Sequence, residues 1–354
     1  MALRRRLIFL ATVLAFGVVA LGAYVRLSDA GLGCPDWPGC YGHLVGVPEH
    51  AHEQSEAARA FPGKRVEPAK AWKEMAHRYF AGTLGLLILM ICLLSWRQAA
   101  RQQHAPVLPT ALVGMVGFQA LLGMWTVTQL LKPMVVTAHL LGGMATLALL
   151  VSLNLEERRR ARVAVGNALA LRAQATLAAV IVQIALGGWV SSNYAALACP
   201  DFPTCQGDWL PAMDFTHAFT LGRELGQTAD GALLPHAALT AIHVSHRLGA
   251  LVVALLVGNL GWRLLRQPPW RRWGLLLLGI VSLQIGLGIA NVLLALPLPV
   301  AVAHNIGAAA LLTATLALNL RLGLIRRASS PQPGQQLAVN ATKTAVAHDQ
   351  DVVA

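Results

Sequence analysis

The sequence predicts an all-α polytopic membrane protein, with eight transmembrane helices in two repeat-related four-helix bundles. Three observations carry that prediction. Of 354 residues, 56% are hydrophobic and only 12% are charged, against roughly a quarter charged in ordinary soluble domains. Eight stretches approach the roughly 20 apolar residues that a helix needs to cross a bilayer. The second half of the chain also repeats the first.

The eight spans fall at about 7–25, 75–95, 108–129, 134–154, 170–190, 242–262, 274–294 and 299–320. The first follows MALRRR and so resembles a signal peptide. It has no small-residue cleavage site and runs directly into the next loop, which favours a retained helix.

Arginine clusters set the orientation, because short cytoplasmic loops of membrane proteins are enriched in Lys and Arg. Arg4, Arg5 and Arg6 precede span one, and Arg97 and Arg101 follow span two. Arg158, Arg159, Arg160 and Arg162 follow span four, Arg263, Arg266, Arg271 and Arg272 follow span six, and Arg321, Arg326 and Arg327 follow span eight. All five clusters fall on one side, so both termini are expected in the cytoplasm. The net charge of +12 then reflects topology and attraction to anionic lipid headgroups, and nothing in it calls for nucleic acid.

Two long loops, about 26–73 and 191–241, are left on the outer side. Each carries a Cys pair in a compartment where disulfides persist, so bridges are expected between Cys34 and Cys40 and between Cys199 and Cys205. Closing so short a loop contributes about 2 to 2.5 kcal/mol in the chain-entropy model. The fifth cysteine, Cys92, lies within span two and reads as a small packing residue.

The loops CPDWPGC and CPDFPTC belong to a longer repeat. A shift of 165 lays GAYVRLSDAGLGC, ending at Cys34, on GGWVSSNYAALAC, ending at Cys199. The same shift brings Gln119 onto Gln284, Gly123 onto Gly288 and His139 onto His304. Four crossings return the chain to its starting side, so the halves are expected side by side about an axis along the membrane normal. This divides the chain into residues 1–162, 163–327 and a polar tail, 328–354, that reads as disordered.

Of the 12 histidines, seven (His43, His50, His52, His104, His217, His236 and His348) fall in loops or tails, where a solvated role is expected. EMAHR places Glu74, His77 and Arg78 at the outer start of span two. IHVSHR places His243, His246 and Arg247 at the outer start of span six, displaced by a four-residue insertion. His139 opens span four and His304 opens span eight. Ionisable groups inside a bilayer are costly and mark function. Two repeat-related pairs of histidines on alternate helices suit haem iron, which takes an axial imidazole from each face. Gly82, Gly85, Gly142, Gly143, Gly249 and Gly307 lie nearby, where they either admit a flat ring or serve close helix packing.

Together RLSDAGLGCPDWPGC, EMAHR, His139, CPDFPTC, SHR and His304 resemble the haem A synthase family in its bacterial form, over residues 7–325. The resemblance implies an oxidoreductase of the bacterial inner membrane that converts haem O to haem A by oxidising the C8 methyl group to a formyl group. It implies a resident cofactor, haem b, in the C-terminal half at His246 and His304, and the substrate haem in the N-terminal half at His77 and His139. Haem O synthase and cytochrome oxidase assembly factors are partners by analogy.

The halves differ in chemistry. Glu74 takes the place of His243, three residues before the histidine and on the same helical face. As a catalytic residue it would act as a general base or as a stabiliser of positive charge developing at the methyl carbon; otherwise it pairs with Arg78 or Lys73. Arg78 and Arg247 read either as propionate partners or as snorkelling to headgroups. The Cys pairs read as stiffeners of a cap over the haem or as redox participants, with Asp36 and Trp37, or Asp201 and Phe202, against the macrocycle. Three rivals remain: a dihaem quinol-linked cytochrome, a quinone-linked thiol oxidase, and a transporter with a histidine proton relay.

Overall fold

A computed structural model describes residues 2–102, 105–157 and 163–324. The eight expected spans are present as helices long and apolar enough to cross a membrane. They are α1 (Ala2–Leu27), α3 (Pro68–Gln102), α4 (Val107–Thr128), α5 (Pro133–Glu157), α6 (Asn167–Ser192), α8 (His236–Leu265), α9 (Arg271–Leu293) and α10 (Leu298–Arg321). Two short helices, α2 (Ala51–Ala60) and α7 (Phe215–Ala218), lie in the long loops. A three-residue parallel pairing of β1 (Val163–Val165) with β2 (Leu322–Leu324) is a departure from helix that the sequence pattern did not announce. Arg158, Arg159, Arg160, Arg162, Arg326, Arg327, His104, His348 and the tail lie outside the described residues.

Each long helix turns one apolar stripe inward. On α8, Val253, Val257, Leu260 and Leu264 are buried at the i, i+4, i+7, i+11 spacing of a single face, while Leu251, Val252 and Leu255 stay exposed. An all-round hydrophobic helix with only one packed face is what a lipid environment permits. One continuous core collects residues from all eight spans, including Ile8, Ile88, Leu112, Leu147, Val180, Leu260, Leu277 and Leu312.

Packing follows a closed order. In the first half α1 packs on α3, α3 on α4, α4 on α5 and α5 on α1; in the second, α6 packs on α8, α8 on α9, α9 on α10 and α10 on α6. The two sets meet where α10 touches α1 and α5, and where α5 touches α6. Within each set the two histidine-bearing helices are therefore diagonal to one another.

Several helices exceed the expected spans, and two of them gain full turns on the side of the disulfide loops. α3 and α8 begin at Pro68 and His236, not near 75 and 242, so His77 and His246 sit two to three turns inside their helices rather than at the outer start. The first turns, PAKAWKE and HAALTA, are too polar or too small to register as membrane-spanning. They are helical because the loops pack on them: Ala71 and Met75 are buried with Cys34, Cys40, Tyr41, Val47 and Ala57, and Ala238, Ala241 and Ile242 with Trp189, Val190, Ala195 and Ala218. The loops thus own small apolar cores.

Unusual backbone recurs at the 165-residue shift. Asp29 and Tyr194, Tyr41 and Gln206, and the pairs Leu130–Leu131 and Ala295–Leu296 all have positive φ without being glycine. Such a residue costs about 1–2 kcal/mol. The last two pairs form the tight turns from α4 to α5 and from α9 to α10, each closed by an N–H bond back into the helix, Leu131 to the Thr126 carbonyl and Leu296 to that of Asn291.

Candidate functional site

His77 on α3 and His139 on α5 face each other, with ring centres 6.5 Å apart and planes at 82°. A metal held between two imidazoles by bonds of about 2 Å puts the ring centres roughly 6 Å apart. The four imidazoles, His77, His139, His246 and His304, are each half-buried. The Nδ1 atoms of His77, His139 and His304 are sealed without a hydrogen-bond partner, so what exposure those residues keep lies elsewhere on them. Among the described residues no three His, Cys, Asp or Glu side chains converge as a bare metal ion would require. Pairs of imidazoles fit a group that brings the remaining iron ligands itself, as a haem does.

Each ring lies against a glycine of the neighbouring helix. A Cβ at Gly22 would stand 3.0 Å from His77 Cε1, at Gly187 3.1 Å from His246 Cε1, at Gly288 3.2 Å from His304 Cε1 and at Gly123 3.4 Å from His139 Cε1. These four glycines set the ring positions, and sequence reasoning passed over them in this role, although Gly123 and Gly288 stood in the aligned segments. The glycines it chose behave differently: Gly142, Gly249 and Gly307 lie under the side chains of Gln119, Gln183 and Gln284, Gly85 faces Val116, Gly143 just touches Val19, and Gly82 meets nothing within 4 Å.

Gln183 Nε2 donates to the His246 carbonyl at 2.9 Å and lies 3.0 Å from its Nδ1. Gln284 Nε2 donates to the His304 carbonyl at 2.8 Å.

Glu74 lies one turn before His77 and is 5% exposed. Its Oε2 accepts from the Cys34 backbone N–H at 3.0 Å, and its Oε1 from Arg78 Nη2 at 2.6 Å. The other terminal nitrogen, Arg78 Nη1, donates to the carbonyls of Asp36 at 3.0 Å and Pro38 at 3.2 Å and to that of Gly39. Arg247 clasps the second loop in the same way, at the carbonyls of Thr204 (2.8 Å), Asp201 (2.7 Å) and Cys199 (3.2 Å). Both arginines thus tie the disulfide loops down to the histidine-bearing helices. His243, in the place of Glu74, is buried with its Nδ1 3.1 Å from the Ala195 carbonyl.

Disulfides Cys34–Cys40 and Cys199–Cys205 are formed, as expected, and Cys92 is free and buried. Asp36 and Asp201 turn their carboxylates into their own loops. Asp36 accepts from the Tyr41 and Gly42 N–H groups at 2.7 and 2.8 Å, and Asp201 from those of Gln206 and Gly207 at 2.6 and 2.9 Å. The Thr204 hydroxyl and these backbone donors pull the Asp201 pKa down to about 2. Trp37 and Phe202, by contrast, are exposed.

Eight packed membrane helices, with half-buried imidazoles presented from diagonal helices beneath disulfide-closed loops, define a polytopic membrane protein built around paired histidines. The family of cytochrome oxidase assembly proteins, COX15-CtaA, matches residues 5–316, and the chain belongs to that family. It is 47% identical over 306 residues to the heme A synthase of Shewanella oneidensis, covering 85% of this chain and 91% of that protein. It is 31% identical over 342 residues to the heme A synthase of a Caulobacter species, covering 87% and 93%, and 28% identical over 321 residues to that of a Chelativorans species, covering 83% of each. The resemblance read from the loop and histidine motifs is thereby borne out.

Proposed function

We propose that this chain is a membrane oxidoreductase of heme A biosynthesis that oxidises the C8 methyl group of haem O to a formyl group. In this reading residues 1–162 form the substrate unit and residues 163–327 a repeat-related unit holding haem b. His77 and His139 hold the iron of the substrate, and His246 and His304 that of the cofactor, which supplies electron transfer when bound. The protein sits in the bacterial inner membrane with both termini in the cytoplasm, the disulfide loops outside and lipid around its exposed apolar faces. Haem O synthase and oxidase assembly factors are the partners that substrate supply and product use call for.

The observation that carries this reading is the asymmetry beneath the two caps. The first half has a buried carboxylate one turn from its histidine, and the second has an imidazole there. The oxygens of Glu74 already accept from Arg78 and Cys34, which favours electrostatic stabilisation of developing positive charge over proton abstraction; preorganised charge in a water-poor site is effective in that role. Arg78 and Arg247 hold the caps, and in this reading the terminal N–H groups that the loop carbonyls leave unused pair with propionates.

Extraction of the pigments that copurify with the protein tests the reading: haem O or haem A beside haem b supports it, and haem b alone in both halves means a dihaem cytochrome. Glu74→Gln keeps the side-chain volume and removes the charge. It is expected to lower haem A yield by about 100-fold with haem loading unchanged, and a normal yield would remove Glu74 from the reaction.

A further inference from the structure

A four-fold pattern runs through the helix pairs and breaks at one position. Three helices carry a glutamine four residues before the glycine that backs a histidine ring: Gln119 before Gly123, Gln183 before Gly187 and Gln284 before Gly288. Their partner helices carry a glycine three residues after the histidine, namely Gly142, Gly249 and Gly307, and each glutamine side chain lies on that glycine, within 1.6 to 2.2 Å of where a Cβ would be. Gly22, which backs His77, is preceded instead by Val18, and the residue three after His77 is Phe80.

The hydrogen bonds divide the same way. In the second half both histidine turns are tied by an amide, Gln183 to the His246 carbonyl and Gln284 to the His304 carbonyl. In the first half the His77 turn has no amide at all, since Val18 stands in its place, while Gln119 lies over Gly142 as its counterparts do with its amide turned the other way, an orientation that half a rotation exchanges.

We infer that Gln183 and Gln284 are positioning residues that fix both imidazoles of the second half for a haem that stays, and that Val18 leaves His77 unpinned for one that enters and leaves. This rests on the assignment of resident and substrate haems to the two halves. Gln183 has an alternative hold, because one amide position meets both the His246 carbonyl at 2.9 Å and its Nδ1 at 3.0 Å. A histidine that gives Nε2 to iron carries its proton on Nδ1, and the Gln183 amide, turned by half a rotation, accepts that proton at the 3.0 Å position. Either way round, His246 is bonded, whereas Gln284 has only the carbonyl.

The test follows haem loss from the full-length purified protein to excess apomyoglobin, together with the reduction potential of the low-spin haem. Gln183→Leu and Gln284→Leu should each speed loss from the second half by about 10- to 100-fold. Only Gln183→Leu should raise the potential, because only Gln183 reaches a ring nitrogen; a purely structural defect moves both or neither. Val18→Gln with Phe80→Gly should slow exchange in the first half. Where Gln183→Leu does not accumulate, Gln183→Met is read in its place. Wild-type loss rates and potentials in both Leu variants overturn the inference. His246→Ala separates that failure from failure of the underlying reading: if the low-spin haem persists without His246, the assignment of the resident haem is wrong.

Discussion

Glu74 and Asp201 show how differently two carboxylates are used. Glu74 is sealed beneath the first cap, where breaking one side of a buried ion pair typically costs about 3–5 kcal/mol. Asp201 is a surface residue whose loop donates to it from Thr204, Gln206 and Gly207. Its pKa lies at about 2, below its ordinary value, so its contribution to the loop is complete above about pH 4 and is lost as pH falls toward 2. Amide exchange at Gln206 and Gly207 should accordingly stay protected down to about pH 4 and lose protection below it. Asp201→Asn should lack that transition, and an Asn variant with an unchanged pH profile would show that the carboxylate is not what holds the loop.

At the scale of the element, glycines fall into two kinds that look alike in the sequence. Gly187 and Gly22 leave the space that His246 and His77 fill, so an added methyl group must push a ring or a helix aside, at about 1–3 kcal/mol. Gly17 and Gly82 meet nothing within 4 Å. Gly187→Ala should therefore broaden or shift the spectrum of the second-half haem and Gly22→Ala that of the first, while Gly17→Ala and Gly82→Ala leave absorbance and thermal stability unchanged. The heptapeptides, EMAHR and the histidines were legible because they are chemically conspicuous. The glycines behind the rings were not, since Gly is common in membrane helices for packing alone, and only the neighbouring helix reveals which of them faces an imidazole. The outer turns of α3 and α8 were missed for a related reason: hydropathy detects what meets lipid, and these turns meet a loop.

For the molecule as a whole, each half carries its own histidine pair on its own diagonal helices, so one pair can be altered without the other. His246→Ala and His304→Ala should each abolish the low-spin haem b signature, and His77→Ala and His139→Ala should leave it intact while removing haem O from the extract. Loss of both pigments in any one of the four would mean that the halves do not bind independently.

The sequence by itself determined the class of the protein, its eight spans, the internal repeat of its motifs and which polar residues stand out among the apolar ones, because hydrophobicity, charge bias and rare polar groups in an apolar chain are local properties. Only the tertiary structure decided what each of those residues touches. The arginines grasp the loops, the aspartates close their own turns, and the amides of Gln183 and Gln284 reach the histidines of the second half alone. Such contacts join groups tens of residues apart across packed helices, and no local pattern encodes which side of a helix will meet which neighbour.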